Sequence, residues 1–230
     1  MCGRFVLYSS LDEIVRAFNV QLVRAQWHPR YNIAPMQPVL VVRYEQDVTV
    51  LDEMRWGLIP YWVQDFSLRE GIINARAETL HRKPSFKRPF ASQRCLVVAD
   101  GFYEWRKSDH KRIPFFFRLS KRRPFGFAGI YDIWHSPKGD VFTTCAIVTT
   151  NANALIRPLH DRMPVILSKD AETLWLNPRT PLIQLMDLLR TTLAEDMEGY
   201  EVSSKVNSSA YDAPECILPL SRTGIATNST

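Results

Sequence analysis

Cysteine is scarce in this sequence, and its residues are too far apart to form a CxxC pair: Cys2, Cys95, Cys145 and Cys216. This spacing argues against a zinc site and against a disulfide framework. No apolar run approaches the ~18 residues that a membrane span needs. The N-terminus lacks the basic and apolar regions of a secretory signal. We therefore expect a protein of the reducing cytoplasm with no metal and no organic cofactor.

Glycine is also scarce, with nine residues in 230. No Gly-rich phosphate-binding loop occurs, which argues against a nucleotide-dependent motor or kinase. No internal repeat or low-complexity linker divides the chain. Hydrophobic residues make up 46% of the sequence, enough for a sizeable core. We expect one domain over residues 1–220 and a polar, disordered tail over residues 221–230.

Short β-branched and aromatic segments predict strands at residues 39–43, 48–55, 95–99, 115–119, 125–130 and 141–149. A helix is predicted over residues 11–18, because Ser10 and Glu13 have the spacing of a capping box. Two further helices are predicted, one after Ser168 through residue 175 and one after Pro181 over residues 182–193. The pattern indicates a β-rich α+β domain, with sheets or a partly closed barrel flanked by a few helices.

Acidic residues are nearly absent from two basic segments. Residues 81–94 contain five Lys or Arg and no acid, and residues 106–123 contain eight against Asp109 alone. The net charge of the chain is +5. Clustered positive charge is typical of a surface that binds a polyanion, most often nucleic acid. Two solvated basic loops explain the pattern equally well.

Cys2 has the most specific chemistry in the chain. Removal of Met1 would leave an amine and a thiol on adjacent carbons. This pair condenses with an aldehyde to a Schiff base and closes to a five-membered thiazolidine. The amine titrates near ~7.7–8 and the thiol near ~8.5, so both are partly in reactive forms at neutral pH. The alternative is a chance cysteine in a first strand over residues 2–7, with Met1 retained.

Four short motifs combine chemically capable side chains with apolar or turn-forming neighbours. They are MCGR at residues 1–4, NARAE at 74–78, DGFYEW at 100–105 and HDRMP at 160–164. Two segments frame them, YNIAP at 31–35 and WGLIPYW at 56–62. In this order the motifs resemble the SRAP family, named for SOS-response-associated peptidase. The resemblance extends over residues 1–207.

A SRAP-like chain is expected to have a β-rich fold with a positively charged cleft. The resemblance implies capture of abasic sites in single-stranded DNA. The product would be a covalent DNA–protein crosslink that shields the lesion during the response to DNA damage. We expect single-stranded DNA as the partner, no membrane partner, and a monomer.

The resemblance implies an active site of Cys2, Asn74, Glu104 and His160. Cys2 is the expected nucleophile. Glu104 lies between aromatic residues, where a raised pKa would let it exchange protons near pH 7. His160 can give or take a proton at the sugar ring oxygen. The Asn74 amide can hold the sugar or the N-terminal amine for attack.

Three of these residues also have a structural interpretation. Glu104 can be a solvent-exposed residue at a strand end. His160 can be a structural histidine. Asn74 can cap a helix that begins near residue 76, and this role is compatible with the catalytic one.

Three arginines lie two residues from a proposed active residue: Arg4, Arg76 and Arg162. Guanidinium groups bind phosphate oxygens bidentately and stay charged. We expect them on the phosphates beside the lesion. The alternative is an ion pair with a nearby acid such as Glu78 or Asp161.

Apolar contacts to DNA are predicted at Trp62, Pro35 and Met36. An exposed tryptophan can stack on a base, which contributes ~1–3 kcal/mol, and Trp62 is the candidate. Trp56 is expected in the core. Pro35 or Met36 can act as an apolar wedge beside the lesion.

Three functions remain open at this point. The first is covalent capture of abasic sites, with strand cleavage by β-elimination as a side activity. The second is a thiol peptidase that uses Cys2, Glu104 and His160 and cleaves its own N-terminus. The third is a noncovalent module for single-stranded DNA, which does not need Cys2.

Overall fold

The structure is a computed structural model that describes residues 2–64, 71–108, 111–190 and 196–224. Its strands are β1 (Phe5–Leu7), β2 (Leu22–Val23), β3 (Arg30–Ile33), β4 (Pro38–Glu45), β5 (Val48–Trp56), β6 (Asn74–Arg76), β7 (Arg94–Ala99), β8 (Gly101–Ser108), β9 (Lys111–Leu119), β10 (Phe125–His135), β11 (Val141–Asn151), β12 (Arg162–Pro164), β13 (Met197–Val202) and β14 (Pro219–Gly224). Its α-helices are α1 (Leu11–Phe18), α2 (Pro84–Ser92), α3 (Lys169–Leu176) and α4 (Leu182–Leu188). Short 3₁₀ helices lie at Ala77–Thr79, Ser204–Asn207 and Pro214–Ile217.

Five strands form a closed barrel. Antiparallel pairs join β11 to β10, β10 to β7, β7 to β4 and β4 to β5. The parallel pairing of β5 with β11, through Arg55 with Thr144 and Trp56 with Cys145, closes the ring. Closure leaves no free edge among these strands. A second sheet has the order β14-β13-β9-β8-β1-β3. The prediction of a β-rich α+β domain is confirmed.

Aromatic residues join the second sheet to the barrel. The ring of Phe5 on β1 lies 5.2 Å from the ring of Trp56 and 5.9 Å from the ring of Phe127, both edge to face. All three side chains are fully buried, and such pairs stabilise a core beyond their buried area. The burial of Trp56 confirms its predicted core position. This packing fixes β1, and with it the N-terminal residues that precede β1.

Local sequence signals set the starts of α1 and α3 as predicted. The Ser10 side chain accepts a hydrogen bond from the Glu13 backbone N–H at 3.3 Å, and Glu13 accepts one from the Ser10 N–H at 2.7 Å. Ser168 caps α3 by accepting from the Ala171 N–H at 3.3 Å. Helix α4 ends at Leu188, before its predicted end at residue 193, and residues 191–195 lie outside the described part.

All six predicted strands are present, and each is at least as long as predicted. Two boundaries differ from expectation. The first strand begins at Phe5 rather than Cys2. At the other end, residues 221–224 belong to β14 and pair with β13, so the predicted tail cannot begin at residue 221. Residues 225–230 lie outside the described residues. Among the residues described, no helix has the length and apolar character needed to span a membrane.

Candidate active site

The N-terminal segment runs alongside β8. Antiparallel pairing places Phe5 opposite Phe102, and the Tyr103 backbone N–H donates to the Arg4 carbonyl at 2.9 Å. Glu104 follows Tyr103 on the same strand. The strand pairing therefore brings the residues of the MCGR motif beside those of the DGFYEW motif.

Cys2 is fully buried, and Asn74 holds its backbone. The Asn74 side-chain amide donates to the Cys2 carbonyl at 2.8 Å. Asn74 is fixed in turn because β6 pairs in parallel with β11, with Asn74 opposite Ile147. The predicted capping role of Asn74 is wrong, since the 3₁₀ helix at Ala77–Thr79 has no side-chain cap. The hydrogen bond that the Asn74 side chain does make is the one to Cys2.

The Cys2 thiol is held in its neutral form. Burial, and then the charge of Glu104, raise its pKa far above the ordinary value. Its sulfur lies 3.9 Å from the Arg4 carbonyl oxygen, the acceptor for the S–H. A neutral thiol is a weak nucleophile, so reaction at Cys2 needs a nearby base.

Glu104 is suited to be that base. Its side chain is on β8 and is 3% exposed, so the prediction of a solvent-exposed glutamate at a strand end is wrong. Burial raises its pKa to about 7. A carboxyl group with this pKa exchanges protons readily at neutral pH.

His160 lies at the end of the turn before β12, where its backbone N–H donates to the Ile156 carbonyl. Its Nδ1 accepts from the Arg162 backbone N–H at 2.9 Å and also lies 2.8 Å from Asp161 Oδ1. Nδ1 cannot accept from Arg162 and donate to Asp161 at once. The backbone bond is the better fixed, because the Asp161 side chain is 85% exposed. In the neutral imidazole the proton therefore sits on Nε2.

Glu104 and His160 line the same cavity, which has a volume of about 420 Å³. Its walls consist of Gly3, Arg4, Glu104, Trp105, Arg112, Leu159, His160 and Asn207. Cys2 is buried next to Gly3 of this wall. The structure thus brings Glu104 and His160, which are far apart in sequence, to one cavity. Cys2 and Asn74 are not among its lining residues, and Asn74 contacts the Cys2 carbonyl.

Arg4 lines the cavity, and hydrogen bonds within the fold hold its side chain in place. Its Nη1 donates to Asn32 Oδ1 at 2.7 Å and to the Val206 carbonyl at 2.8 Å. Its guanidinium carbon lies 5.8 Å from the centre of the Trp105 ring. Burial lowers its pKa. Arg4 therefore faces the cavity from a fixed position, with Nη1 already used within the fold.

The prediction that Arg162 binds phosphate is not supported by its position. Arg162 is buried and donates to both Glu78 carboxylate oxygens, at 2.6 and 3.0 Å. It also donates to Asn151 Oδ1 at 3.0 Å and to the Thr149 carbonyl at 2.6 Å. The alternative ion pair with Glu78 is the arrangement found. Arg162 fixes the HDRMP segment to β11.

Arg76 differs from Arg162 in exposure. It is exposed at the end of β6, two residues after Asn74. Within the described part of the chain, no acidic group forms an ion pair with it. Contact of Arg76 with phosphate stays a prediction.

Variants of these two arginines should separate stability from DNA binding. We expect Arg162→Ala to lower the free energy of unfolding by about 1–3 kcal/mol, because it leaves the buried Thr149 carbonyl without this donor. Arg76→Ala should leave stability unchanged and reduce the salt slope of DNA binding by about one. Denaturant unfolding and binding titrations at several salt concentrations check both. The opposite assignment, with Arg76 needed for stability, would contradict the structure.

The three apolar DNA contacts predicted from sequence lie outside the cavity wall. Trp62 is 53% exposed, as a stacking residue requires. Pro35 and Met36 are partly buried in the turn between β3 and β4. Met36 has a φ of 69°, and its N–H donates to the Trp56 carbonyl at 2.7 Å. Their contact with DNA stays a prediction.

Much of the charge in the two basic segments is paired with acids or backbone carbonyls of the same chain. Arg94 is buried and donates to four backbone carbonyls. Five residues of the second segment pair with acids at 2.6–3.8 Å: Arg106, Arg118, Lys121, Arg122 and Arg123. The exposed cations that remain beside α2 and at the start of β9 are Arg82, Lys83, Lys87, Lys111 and Arg112. Contact of these exposed cations and of Arg76 with a polyanion stays a prediction.

Sequence reasoning missed Arg112 and Asn207 as cavity residues. Trp105 Nε1 donates to Asn207 Oδ1 at 2.6 Å, and Asn207 Nδ2 donates to the Arg112 carbonyl at 3.3 Å. A signal for Asn207 was available, because it ends the stretch over which the family resemblance extends. Arg112 had no signal beyond its charge.

A comparison with protein families decides the classification. The family model described as SOS response associated peptidase (SRAP) matches residues 1–209. The chain belongs to the SRAP family. In the described residues of this SRAP chain, no group of three or more His, Cys, Asp or Glu is placed to hold a metal ion.

SRAP relatives and solved structures match along nearly the whole chain. The abasic site processing protein YoqW of Bacillus subtilis is 46% identical, with 94% of this chain and 99% of YoqW covered. The abasic site processing protein HMCES of Gallus gallus is 34% identical, over 86% of this chain and 68% of HMCES. A crystal structure of a protein from Bacteroides thetaiotaomicron has a TM-score of 0.83 at 26% identity and covers 95% of this chain.

Proposed function

We propose that this protein captures abasic sites in single-stranded DNA by forming a covalent thiazolidine at Cys2, after removal of Met1. Relatives named abasic site processing proteins support the substrate class. The observation that carries the mechanism is the hydrogen bond from Asn74 to the Cys2 carbonyl, beside the buried Glu104. This hydrogen bond holds Cys2, the terminal residue once Met1 is removed, next to the Glu104 carboxyl group, which can exchange protons.

The first step joins the amine to the lesion. An abasic deoxyribose opens to an aldehyde when its C1′ hydroxyl loses a proton and its ring oxygen gains one, and the Nε2–H of His160 can assist by donating a hydrogen bond to that ring oxygen. The Cys2 nitrogen then attacks C1′. The aldehyde oxygen leaves as water, and a C=N bond remains. Because Asn74 fixes the Cys2 carbonyl, the adjacent amine has few orientations to search before attack.

Glu104 handles the protons of this step. With a pKa of about 7, it is both a base and an acid at neutral pH. It takes a proton from the amine during attack and returns it to the departing hydroxyl. Because the Glu104 carboxyl group is buried, it exchanges this proton with the lesion rather than with solvent.

The second step closes the ring. The Cys2 sulfur adds to the imine carbon, Glu104 takes the thiol proton, and a proton is returned to the nitrogen, so no other reactant is consumed. The resulting thiazolidine has no imine left to hydrolyse, and the crosslink should outlast a Schiff base. Burial favours the neutral Cys2 thiol, which suits transfer of its proton during closure.

The same burial disfavours the thiol peptidase. A Cys–His peptidase keeps its thiol as a thiolate by contact with the imidazole. Here burial raises the pKa of the Cys2 thiol, and Nδ1 of His160 accepts from a backbone N–H. Turnover of peptide substrates in trans would be the observation in favour of a peptidase.

Denaturing gel electrophoresis tests the proposal. The protein, shown by intact mass to lack Met1, is incubated with single-stranded DNA treated with uracil glycosylase. We expect a heat-resistant shifted band that needs the abasic site and is absent with uracil-free DNA. If the band is absent although Met1 removal is confirmed, covalent capture is refuted and noncovalent DNA binding becomes the favoured function.

A further inference from the structure

The loop after β5 presents two neighbouring aromatic residues to solvent. Tyr61 is 52% exposed and Trp62 is 53% exposed. Single exposed apolar residues are common on protein surfaces, but adjacent large aromatics form a patch with a binding role more often than chance placement. Arg88 from α2 lies over this patch, with its guanidinium carbon 4.2 Å from the centre of the Tyr61 ring. We call Tyr61, Trp62 and Arg88 the aromatic surface.

The loop that carries the aromatic surface is fastened to the barrel at three points. The Ile59 N–H donates to the buried Thr144 hydroxyl at 2.9 Å. The Tyr61 N–H donates to Asp132 Oδ2 at 3.0 Å. Trp134 Nε1 donates to the Val63 carbonyl at 2.6 Å. These bonds fix the backbone on both sides of Trp62.

Asp132 contacts two of the three residues of the aromatic surface, the Tyr61 backbone and the Arg88 side chain. Its carboxylate is 1% exposed on β10 and receives the Tyr61 N–H on one oxygen. The other oxygen accepts from the Ile133 N–H at 2.9 Å and from Arg88 Nη1 at 3.4 Å. A buried carboxylate is costly unless it is well hydrogen-bonded, and an apolar residue would fill a barrel wall at lower cost. The hydrogen bonds of Asp132 to the surface residues therefore explain a carboxylate at this place better than packing in the barrel wall does.

We propose that Asp132 is a positioning residue that holds the aromatic surface, through the Tyr61 backbone and Arg88, in the arrangement that binds an unpaired DNA strand. The inference rests on the proposed function, because single-stranded DNA is the ligand. Aromatic faces stack on bases without sequence preference, and an arginine beside them meets the phosphates. Asp132 itself touches no DNA.

A double-mutant cycle tests the inference with a labelled, undamaged oligothymidine, so that Cys2 chemistry plays no part. Fluorescence anisotropy gives the dissociation constant. Trp62→Ala should weaken binding about tenfold. Asp132→Asn, which keeps the volume but turns an amide toward one of the backbone donors, should weaken binding about fivefold in the wild-type background. In the Trp62→Ala background it should weaken binding clearly less than fivefold, because Trp62, a stacking residue of the positioned surface, is gone while Tyr61 and Arg88 remain.

Asp52→Asn is the matched control. The Asp52 carboxylate also accepts hydrogen bonds from an arginine side chain, but it contacts no part of the aromatic surface. This substitution should leave the dissociation constant unchanged. Thermal unfolding shows whether each variant folds. If Asp132→Asn does not fold, Thr144→Val enters the same cycle, because it has the same shape and releases the Ile59 anchor of the loop.

Equal losses in the two backgrounds, or no loss in the wild-type background, would overturn the inference. If the wild type does not crosslink, the proposed function is wrong, whatever the double-mutant cycle shows. If the wild type crosslinks but the effects of the two substitutions are additive, only the role of Asp132 is wrong.

Discussion

Cys2→Ala is expected to abolish the heat-resistant DNA–protein product, a loss of at least about a thousandfold in crosslinking rate. The variant still has a terminal amine, so it can form an imine, but without sulfur the imine stays open and hydrolyses. Denaturing gels over a time course measure the product. Noncovalent binding of undamaged single-stranded DNA should be unchanged, because Cys2 is buried and offers no surface to the strand.

Cys2→Ser is the matched control for the thiol. It keeps the size and polarity of the side chain near the Asn74 contact but does not close a stable thiazolidine. A Schiff base at C1′ acidifies the proton on C2′, and β-elimination follows when a base reaches it. We therefore expect more strand cleavage from Cys2→Ser than from wild type. Equal or lower cleavage would contradict a Schiff base that wild type normally traps by ring closure.

Glu104→Gln is expected to slow crosslinking by about 10²–10³-fold, in the range of a lost general acid–base group. The deprotonated carboxylate is the form that accepts the amine proton, so the wild-type rate should rise with pH through about 7. In the variant that rise should disappear, leaving only the rise of the amine near ~8. Single-turnover rates between pH 5.5 and 9 measure both profiles. An unchanged profile in the variant would exclude Glu104 as the base.

Stability measurements separate this effect from a folding defect. The pKa of Glu104 is higher in the folded protein than in the unfolded chain, because burial disfavours the charge. Its contribution to stability is therefore full below the unfolded pKa of ~4.3 and is lost as pH rises through about 7. Glutamine carries no charge to bury. Glu104→Gln should be at least as stable as wild type at pH 8, and a large destabilisation there would contradict a buried carboxylate that resists ionisation.

Features set by neighbours in the sequence could be predicted from the sequence. The start of α1 depends on Ser10 and Glu13, three residues apart, and both bonds of the capping box are present. The strands of the barrel could be predicted because their β-branched and aromatic residues form short, uninterrupted runs. The closure of the barrel could not be predicted, because it depends on the pairing of β5 with β11, which are far apart in sequence.

Features set by long-range pairing could not be predicted from the residues alone. Glu104 reads as a charged residue near a turn, and its burial follows only from β8 lying between β1 and β9. Arg162 and Arg76 look alike in sequence, yet one is buried against Glu78 and the other is exposed. The family resemblance supplied the set of active residues, whereas the partners of each charge had to come from the fold.

Mass spectrometry of the crosslinked N-terminal peptide tests the central claim most directly. The crosslink is formed with abasic single-stranded DNA, reduced with borohydride, and digested with nuclease and protease. We predict an adduct on a peptide that begins at Cys2, with the mass of peptide plus sugar fragment minus one water and no added hydrogen, because a thiazolidine has no imine to reduce. An adduct on a lysine, an adduct with Met1 still attached, or a gain of two hydrogens on reduction would contradict covalent capture through the terminal amine and thiol.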